Sequence, residues 1–553
     1  MSHHTALRHG GTSSHATLDS HGTLEEVPRE NHETPKVALM PLETNRRRLL
    51  LPAVWSLMAM LAASPAAFGQ ADQLLLREAQ QLKDKYAEDL QKLAEWCDQR
   101  NLSPQAETTR AVLGPRDPLK IYLPVLPKAV GGAKLAAGAT VGGSSEASSG
   151  AAAGATAAPS ADVTEWSTRL AKLRRDQSAA QYELARRAVR ANRASLAFES
   201  ILAAIAADPD NDAVRRVLGY QPYRGQWCTL DEVSRLRAGQ VWNDKYGWLP
   251  KNYVARYEQG MRFSDGRWIT ADEDARLHAD IRSGWDIETE HYSIRTNHSL
   301  EAGVALGVKL ERLFNLWQQI FIRYYASADD VVALFDGRAR RNRGPLTRFQ
   351  VVYFRDREDY DRSLGSLGPN IAMSVGVYIE KTRRAYFFAG KDADDRTLYH
   401  EATHQLFHQS RPVPPGVGQR CNFWIVEGIA LYMESLREED GYYVLGGFED
   451  LRMYAAQYRL TKDNFYVPFA ELAGYGMERL QSDPRIATIY SQAAGQTHFL
   501  VYYDGGRYRD ALVGYISTVY ANRDTPTTLE ELTGTRFAEL DKQYREFMAA
   551  GVE

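Results

Sequence analysis

The sequence has few cysteines, almost no charge imbalance and no long apolar segment, and each shortage excludes a class of protein. Its 553 residues include only three cysteines, Cys97, Cys228 and Cys421, in different regions. At most one pair could form, so neither a disulfide framework nor a cysteine metal site is indicated. Lysine and arginine number 67 against 70 aspartates and glutamates, for a formal net charge of -3. This balance gives no reason to expect nucleic acid or an anionic membrane surface as a partner.

The N-terminal apolar run, from Leu49 to Ala63, is short for a bilayer and contains Pro52. It follows three arginines at 46–48 and precedes small residues that end at Gln70. These are the three parts of a secretory signal. We therefore interpret 1–70 as a polar extension plus a signal peptide that starts near Met40. The expectation is an exported protein (periplasmic, cell-surface or secreted) with no stable membrane span after cleavage; a signal anchor is the alternative.

The length and the composition indicate a large globular chain with several units. With 44% hydrophobic and 25% charged residues, the chain can bury a sizeable core and should hold two to four units. Changes in composition place boundaries between a helical segment at 71–128, a Gly/Ala/Ser linker at 129–162, a helical hairpin at 163–218, tryptophan-containing short repeats at 219–284 and a larger domain at 285–553.

The repeats are marked by Trp227, Trp248 and Trp268, which lie 21 and 20 residues apart. Each repeat is predicted to be a turn, a strand carrying the tryptophan and a helical return. One interpretation is a small binding module for a cell-wall polymer or a peptide. The alternative is that each indole only anchors its own repeat.

The larger domain begins with a predicted sheet and ends in predicted helices. Alternating apolar residues predict strands at 286–297, 349–354, 375–380 and 385–388, with an amphipathic helix at 300–324 after the first. After residue 434 the pattern is largely helical, with segments at 448–458, 468–472, 486–503, 508–520, 528–531 and 537–549.

A His-Glu-x-x-His motif follows the last strand, at residues 400–404. On a helix, residues four apart lie one above the other, so His400 and His404 can hold one zinc ion. Glu401 is about 100° further round the helix, where it can contact a water on the metal and act as general base. His408 extends the same face but lies about 12 Å along the axis from His400, too far to share the ion.

The third ligand is predicted to be Glu427, 23 positions after His404. Zinc in catalytic sites usually has three protein ligands and an open fourth position. Prolines and glycines between 412 and 418 predict a loop, and 424–436 is predicted to be a second helix that faces the first. The alternative is an ordinary amphipathic helix whose histidines happen to be four apart.

The sequences His-Glu-Ala-Thr-His-Gln-Leu at 400–406 and Trp-Ile-Val-Glu-Gly-Ile-Ala-Leu-Tyr-Met-Glu at 424–434 resemble the gluzincin metallopeptidases. The likeness is greatest to a secreted bacterial branch with Trp-x-x-Glu-Gly-x-Ala-x-Tyr-x-Glu around the third ligand. It covers roughly the last half of the chain. The resemblance implies Zn²⁺ held by His400, His404 and Glu427, with Glu401 as base. It also implies an α+β, two-lobed catalytic domain, with a small sheet and the zinc helix before a helical lobe.

One departure from the family and two further roles follow from the resemblance. Many gluzincins have an acidic residue four positions after the third ligand, where this chain has Leu431, so we expect another group such as Glu434 to orient a ligand. The edge strand, predicted at 374–378, would hold an extended peptide by main-chain hydrogen bonds. Gly376 would let that peptide approach, unless it only marks a bulge.

The resemblance also implies a hydrogen-bond donor for the oxyanion, supplied by the C-terminal half. Tyr490 and His498 are the candidates. They are two turns apart on a common helix, about 12 Å, so they do not serve the same oxygen. We prefer Tyr490 because related bacterial sequences have Tyr-x-Gln-Ala at this point; a packed aromatic residue is the alternative.

The sequence therefore predicts an exported zinc-dependent metallopeptidase that hydrolyses peptide bonds in a peptide or protein with zinc-activated water. One alternative is a secreted binding or scaffold protein with a weakly active or inactive gluzincin fold. Another is an amidase that acts on a wall peptide.

Overall fold

In a computed structural model, the chain is an α+β protein. The structure describes residues 65–113, 116–130, 160–338, 347–367, 374–391 and 394–550. The predicted signal peptide lies almost wholly outside the described residues, and so does most of the predicted linker. Among the described helices, none is both long enough and apolar enough to cross a membrane.

The N-terminal part is mostly helical. Its elements are α1 (Pro65–Asp98), α2 (Ser103–Ala111), β1 (Lys120–Pro124), α3 (Ala161–Arg190), α4 (Ala194–Ala207) and α5 (Asp212–Val217). Ser160 starts α3 as its N-cap, because its side chain accepts a hydrogen bond from the Val163 amide. Helix α1 packs against α2 and α3 through Leu90 and Leu93, and the Trp166 indole donates to the Thr109 hydroxyl at 2.9 Å.

Three hairpin–helix units follow. They comprise β2 (Gln221–Tyr223), β3 (Gln226–Cys228) and α6 (Leu230–Arg237); β4 (Gln240–Asn243), β5 (Gly247–Pro250) and α7 (Val254–Glu258); and β6 (Met261–Ser264), β7 (Arg267–Thr270) and α8 (Ala271–Leu277). The first and third hairpins turn at Arg224-Gly225 and Asp265-Gly266, all four with positive φ, as two-residue hairpin turns require.

The three tryptophans of these units are used in internal packing. Trp227 is 3% exposed, and its indole nitrogen donates to Asp210 at 3.0 Å. Trp248 packs edge-on against Trp242 with ring centroids 5.7 Å apart, and Trp268 contacts Phe263 of its own unit and Tyr253 of the second unit. All three indoles therefore pack within the protein, and Trp227 and Trp268 also join their own units to the segment that precedes each of them.

A five-stranded sheet comes next. Its segment contains β8 (Trp285–Glu288), β9 (Tyr292–Thr296), α9 (Leu300–Ile320), α10 (Ile322–Tyr325), α11 (Ala328–Phe335), β10 (Phe349–Phe354), α12 (Arg357–Leu364), β11 (Gly376–Ile379) and β12 (Arg384–Phe388). The strand order is β11-β12-β10-β9-β8, with β9, β10 and β12 mutually parallel. The outer strands β11 and β8 are antiparallel to their neighbours.

The predicted single strand at 286–297 is wrong, because β8 and β9 form a hairpin there. The turn is held by the Glu311 carboxylate on α9, which accepts hydrogen bonds from the Thr289 hydroxyl at 2.6 Å and the His291 amide at 2.7 Å. The turn at 289–291 contains no glycine, proline, asparagine or aspartate to mark it, which is why the pattern alone did not divide the segment.

The C-terminal part carries the two helices of the motif and a helical lobe. Its elements are α13 (Asp395–Gln409), α14 (Phe423–Met433), β13 (Arg437–Glu439), β14 (Tyr442–Gly446), α15 (Leu451–Thr461), α16 (Phe469–Ala473), α17 (Met477–Gln481), α18 (Ile486–Gly506), α19 (Arg509–Val519), α20 (Thr528–Thr533) and α21 (Phe537–Ala550). Backbone angles at Tyr503, Asp504 and Gly505 are not helical, so α18 is kinked near its end.

The β13–β14 hairpin interrupts the region predicted to be largely helical after residue 434. Asp440 and Gly441 form its turn, both with positive φ, and Asp-Gly is a strong hairpin signal. Strand β1 pairs antiparallel with β14, from Lys120 opposite Gly446 to Pro124 opposite Tyr442. The segment predicted as helical at 71–128 therefore also supplies a strand to the sheet β1-β14-β13.

Candidate metal centre

Helix α13 carries two histidines into the protein interior. The helix begins after Asp394, whose side chain caps it by accepting hydrogen bonds from the Arg396 and Thr397 amides. His400 and His404 lie one turn apart and are both buried. Their Nε2 atoms are 3.2 Å apart, so the two rings point at a common position.

Glu427 on α14 meets the same position. Its Oε2 is 3.6 Å from His400 Nε2 and its Oε1 is 3.9 Å from His404 Nε2. Ligand atoms of the three side chains all lie within 4.8 Å of one another. Ligands at about 2.0–2.1 Å from a tetrahedral zinc ion are roughly 3.3–3.5 Å apart, so the observed separations fit such an ion. The structure brings together the three predicted ligands as a buried group that could hold a metal ion.

Two features set the position of α14. Asn422 precedes it with a φ of 58°, and its side-chain amide donates to Asp524 at 2.8 Å while its oxygen accepts from the Tyr515 hydroxyl at 2.7 Å. Gly428 faces α18, where a Cβ atom would lie 2.9 Å from the Ala493 carbonyl oxygen. The absence of a side chain at Gly428 therefore lets the two helices approach, which places Glu427 opposite the histidines.

Glu434 contacts the other ring nitrogen of His400, as the departure at Leu431 suggested. His400 Nδ1 donates to Glu434 Oε1 at 2.9 Å, which fixes the ring and leaves Nε2 directed at Glu427. Burial by itself lowers the pKa of His400, but the carboxylates of Glu427 and Glu434 outweigh burial and raise that pKa to about 10. The same negative environment favours a bound cation. Leu431 is buried in the hydrophobic core.

The Glu401 side chain extends from α13 to β11, the edge strand of the five-stranded sheet. Its Oε2 accepts a hydrogen bond from the Tyr378 amide on β11 at 2.8 Å. Burial raises the pKa of Glu401 to about 7, against the opposing effects of His400 and this hydrogen bond. One carboxylate oxygen is thus anchored to the strand next to the candidate metal ligands.

The glycine at 376 was predicted either to let a peptide approach or to mark a bulge, and the structure gives a different reason for it. Residues 376–379 pair in regular register with 387–384, so no bulge occurs there. A Cβ atom at Gly376 would lie 2.9 Å from the Phe387 ring and 3.1 Å from the Thr397 side chain. The glycine therefore lets β11 pack closely against β12 and α13.

The two candidates for the oxyanion donor differ in their surroundings. His498 is fully buried among aromatic rings, including Tyr502 at 4.4 Å, and its Nε2 accepts a hydrogen bond from the Gly447 amide at 3.3 Å. Burial lowers the pKa of His498 to about 3. These contacts are those of a core histidine. Tyr490 is buried in the first turns of α18, and its role stays a prediction.

Two further residues, His408 and Arg452, lie beside the group. His408 is buried, and its ring contacts Tyr378 and Tyr520 at 5.6 and 5.2 Å. It is not one of the three grouped metal ligands, as its distance along the helix predicted. Arg452 on α15 donates to Glu434 and was not predicted, because no spacing rule connects residues on separate elements.

The fold and the site define the chain as an α+β protein with a buried candidate metal centre made of two histidines and one glutamate. No protein-family model matches the chain, and no curated protein matches it.

Proposed function

We propose that the protein is an exported zinc-dependent metallopeptidase of the gluzincin type, which hydrolyses peptide bonds. The observation that carries the proposal is the convergence of His400, His404 and Glu427 within 4.8 Å, with Glu401 on the adjoining helix position. A structural ion-pair group would not need a carboxylate base beside two imidazoles. The order of sheet, histidine helix, glutamate helix and helical lobe supports the gluzincin interpretation.

In this proposal, His400, His404 and Glu427 would hold Zn²⁺, which would supply Lewis-acid chemistry by lowering the pKa of water and polarising the scissile carbonyl. Glu401 takes a proton from the attacking water and delivers it to the leaving amine. The Tyr378 amide holds Glu401 Oε2, which leaves Oε1 for the water. Glu434 keeps the His400 ring turned so that Nε2 remains available to the metal.

The substrate chain is proposed to lie along β11. This strand is at the edge of its sheet, so one side of its main chain is not paired with another strand of that sheet. Because the Tyr378 amide is bonded to Glu401, a peptide added at this edge would lie beside the base. Tyr490 is proposed as the donor to the oxyanion.

The decisive experiment replaces Glu401 by glutamine, which keeps the shape of the side chain and removes its basicity. We expect hydrolysis of a generic peptide substrate to fall about 100- to 10,000-fold while one zinc ion per chain is retained. Chelator should abolish the activity of the unaltered protein, and added Zn²⁺ should restore it. Full hydrolysis by Glu401→Gln would show that Glu401 is not the base.

The same assay separates the alternatives. A protein that binds zinc but shows no chelator-sensitive hydrolysis of peptides would be a binding or scaffold protein. Hydrolysis of wall-peptide amides without hydrolysis of protein substrates would indicate the amidase.

A further inference from the structure

His400 belongs to a closed circuit of charged side chains that joins three elements. From His400 on α13 the circuit runs to Glu434 at 2.9 Å and on to Arg452, whose Nε and Nη2 donate to that carboxylate at 2.8 and 3.2 Å. Arg452 lies in the first turn of α15, which is capped by Asp450. The Asp450 carboxylate in turn pairs with Arg396, one turn before His400 on α13. The circuit thus begins and ends on the helix that carries the histidines.

The acidic members of the circuit are buried, and the arginine that joins them to α15 is not. Only 4% of the Glu434 side chain and 6% of the Asp450 side chain are exposed, against 38% for Arg452. A buried carboxylate is costly unless a cation pairs with it and fixes its oxygens. The planar guanidinium fork does both, because its two N–H groups approach the carboxylate from a fixed direction.

The direction matters because Glu434 also accepts the hydrogen bond from His400 Nδ1. A carboxylate held by the fork turns the imidazole so that Nε2 points at Glu427, 3.6 Å away. Partners in this position commonly set metal affinity, since they decide how a ligand ring is oriented. An ordinary ion pair on the surface would have no such consequence.

We propose that Arg452 is a positioning residue of the metal centre, which acts through Glu434 on His400 and couples the docking of α15 to metal binding. This inference rests on the proposed zinc site. Coupling is reciprocal, so a metal ion that is bound more tightly because α15 is docked must also hold α15 in place. Helix α15 is therefore part of the centre although it supplies no ligand.

The test compares Arg452→Met with Arg459→Met. Arg459 lies on the same helix, is 46% exposed and pairs at 3.1 Å with Asp463, which is itself exposed, so it matches Arg452 in residue type and exposure but does not touch the circuit. Zinc affinity is measured by competition with a chromophoric chelator on the full chain. We expect a loss of about 10- to 100-fold for Arg452→Met. For Arg459→Met we expect unchanged affinity.

A second readout follows the helix itself. Hydrogen exchange of the amides in 451–461 should slow when Zn²⁺ is added to the unaltered protein and to Arg459→Met, and should not respond in Arg452→Met. Arg452→Lys keeps the charge but loses the fork, so it should fall between the unaltered protein and Arg452→Met in affinity. It also serves as the test if the methionine variant does not fold.

Equal zinc affinity in the unaltered protein and either Arg452 variant would overturn the proposal. Exchange in 451–461 that ignores Zn²⁺ in the unaltered protein would do the same. These outcomes are separate from failure of the proposed function, which would show as zinc binding without hydrolysis. If the unaltered protein bound no zinc, both would fall.

Discussion

The helix pair α13 and α14 and the three hairpin–helix units at 221–277 differ in how completely their side chains are surrounded. Every residue from Phe423 to Met433 is buried, and so is every residue from Leu398 to His408. In the units, burial is confined to a few anchors such as Trp227, Leu249 and Ile269. A helix buried on all sides has no polar face, so its function can be predicted only from particular residues. The fold of the units, in contrast, can be predicted from their repeat.

The largest expected effect is a loss of zinc affinity that occurs in the helix pair and not in the hairpin–helix units. Glu427→Gln removes a charged ligand at almost constant volume, and we expect zinc affinity to fall by more than about 100-fold. Glu232→Gln is the matched change in the first unit, where Glu232 completes the capping box of α6. Because glutamine also completes a capping box, the change should leave zinc affinity unchanged and cost only the ion pair with Lys128, about 0.2–1 kcal/mol of unfolding free energy. Chelator competition and denaturant unfolding measure the two quantities. Similar losses of affinity in both variants would contradict the assignment of Glu427.

The next effect is steric. Gly428→Ala places a Cβ atom 2.9 Å from the Ala493 carbonyl oxygen and 2.6 Å from the Thr497 hydroxyl, so α14 and α18 must separate. We expect a loss of about 2–3 kcal/mol in unfolding free energy, because a close-packed interior accommodates an extra methyl group poorly. Zinc affinity should fall with it, since Glu427 is the preceding residue. Denaturant unfolding in the metal-free state isolates the steric cost. A loss smaller than the loss for Gly225→Ala would show that α14 and α18 move apart at little cost.

The smallest effect comes from the same substitution in the units. Gly225 has a φ of 79° in the first hairpin turn, and a Cβ atom there would meet nothing within 4 Å. Gly225→Ala should therefore cost only the strain of the left-handed backbone, about 1 kcal/mol, with no change in zinc affinity. Thermal unfolding with and without Zn²⁺ checks both statements. A change in metal affinity would mean that the units are coupled to the site.

The sequence sufficed for the two histidines because they follow a local rule, and for Glu427 because zinc needs a third ligand and the family resemblance indicated one on the next helix. His400 and His404 are one helical turn apart, and the proline-rich loop before α14 returns the chain to bring Glu427 opposite them. Strand β10 was predicted with its observed bounds, and β11 and β12 within one residue at each end, because their apolar residues are bounded by clear breaks.

Other features depended on contacts that no local rule describes. Nothing in the spacing connects Arg452 with Glu434 or Asp450 with Arg396, since each pair joins separate elements that only the tertiary fold brings together. Gly376 was predicted to admit a substrate or mark a bulge, yet the atoms that exclude a side chain there come from β12 and α13. Sequence patterns predict which residues carry chemistry better than they predict what holds those residues in place.

Strand β1 has a consequence for synthesis and for any attempt to shorten the chain. Lys120 and its opposite residue Gly446 are 326 positions apart, so the ribosome releases β1 long before β14 exists. Until β14 is synthesised, β1 has no strand to pair with. If the C-terminal half were expressed alone, β14 would have one unpaired edge. A fragment that begins at residue 285 should therefore aggregate, and a useful truncation has to retain residues 120–124 or supply them as a separate peptide.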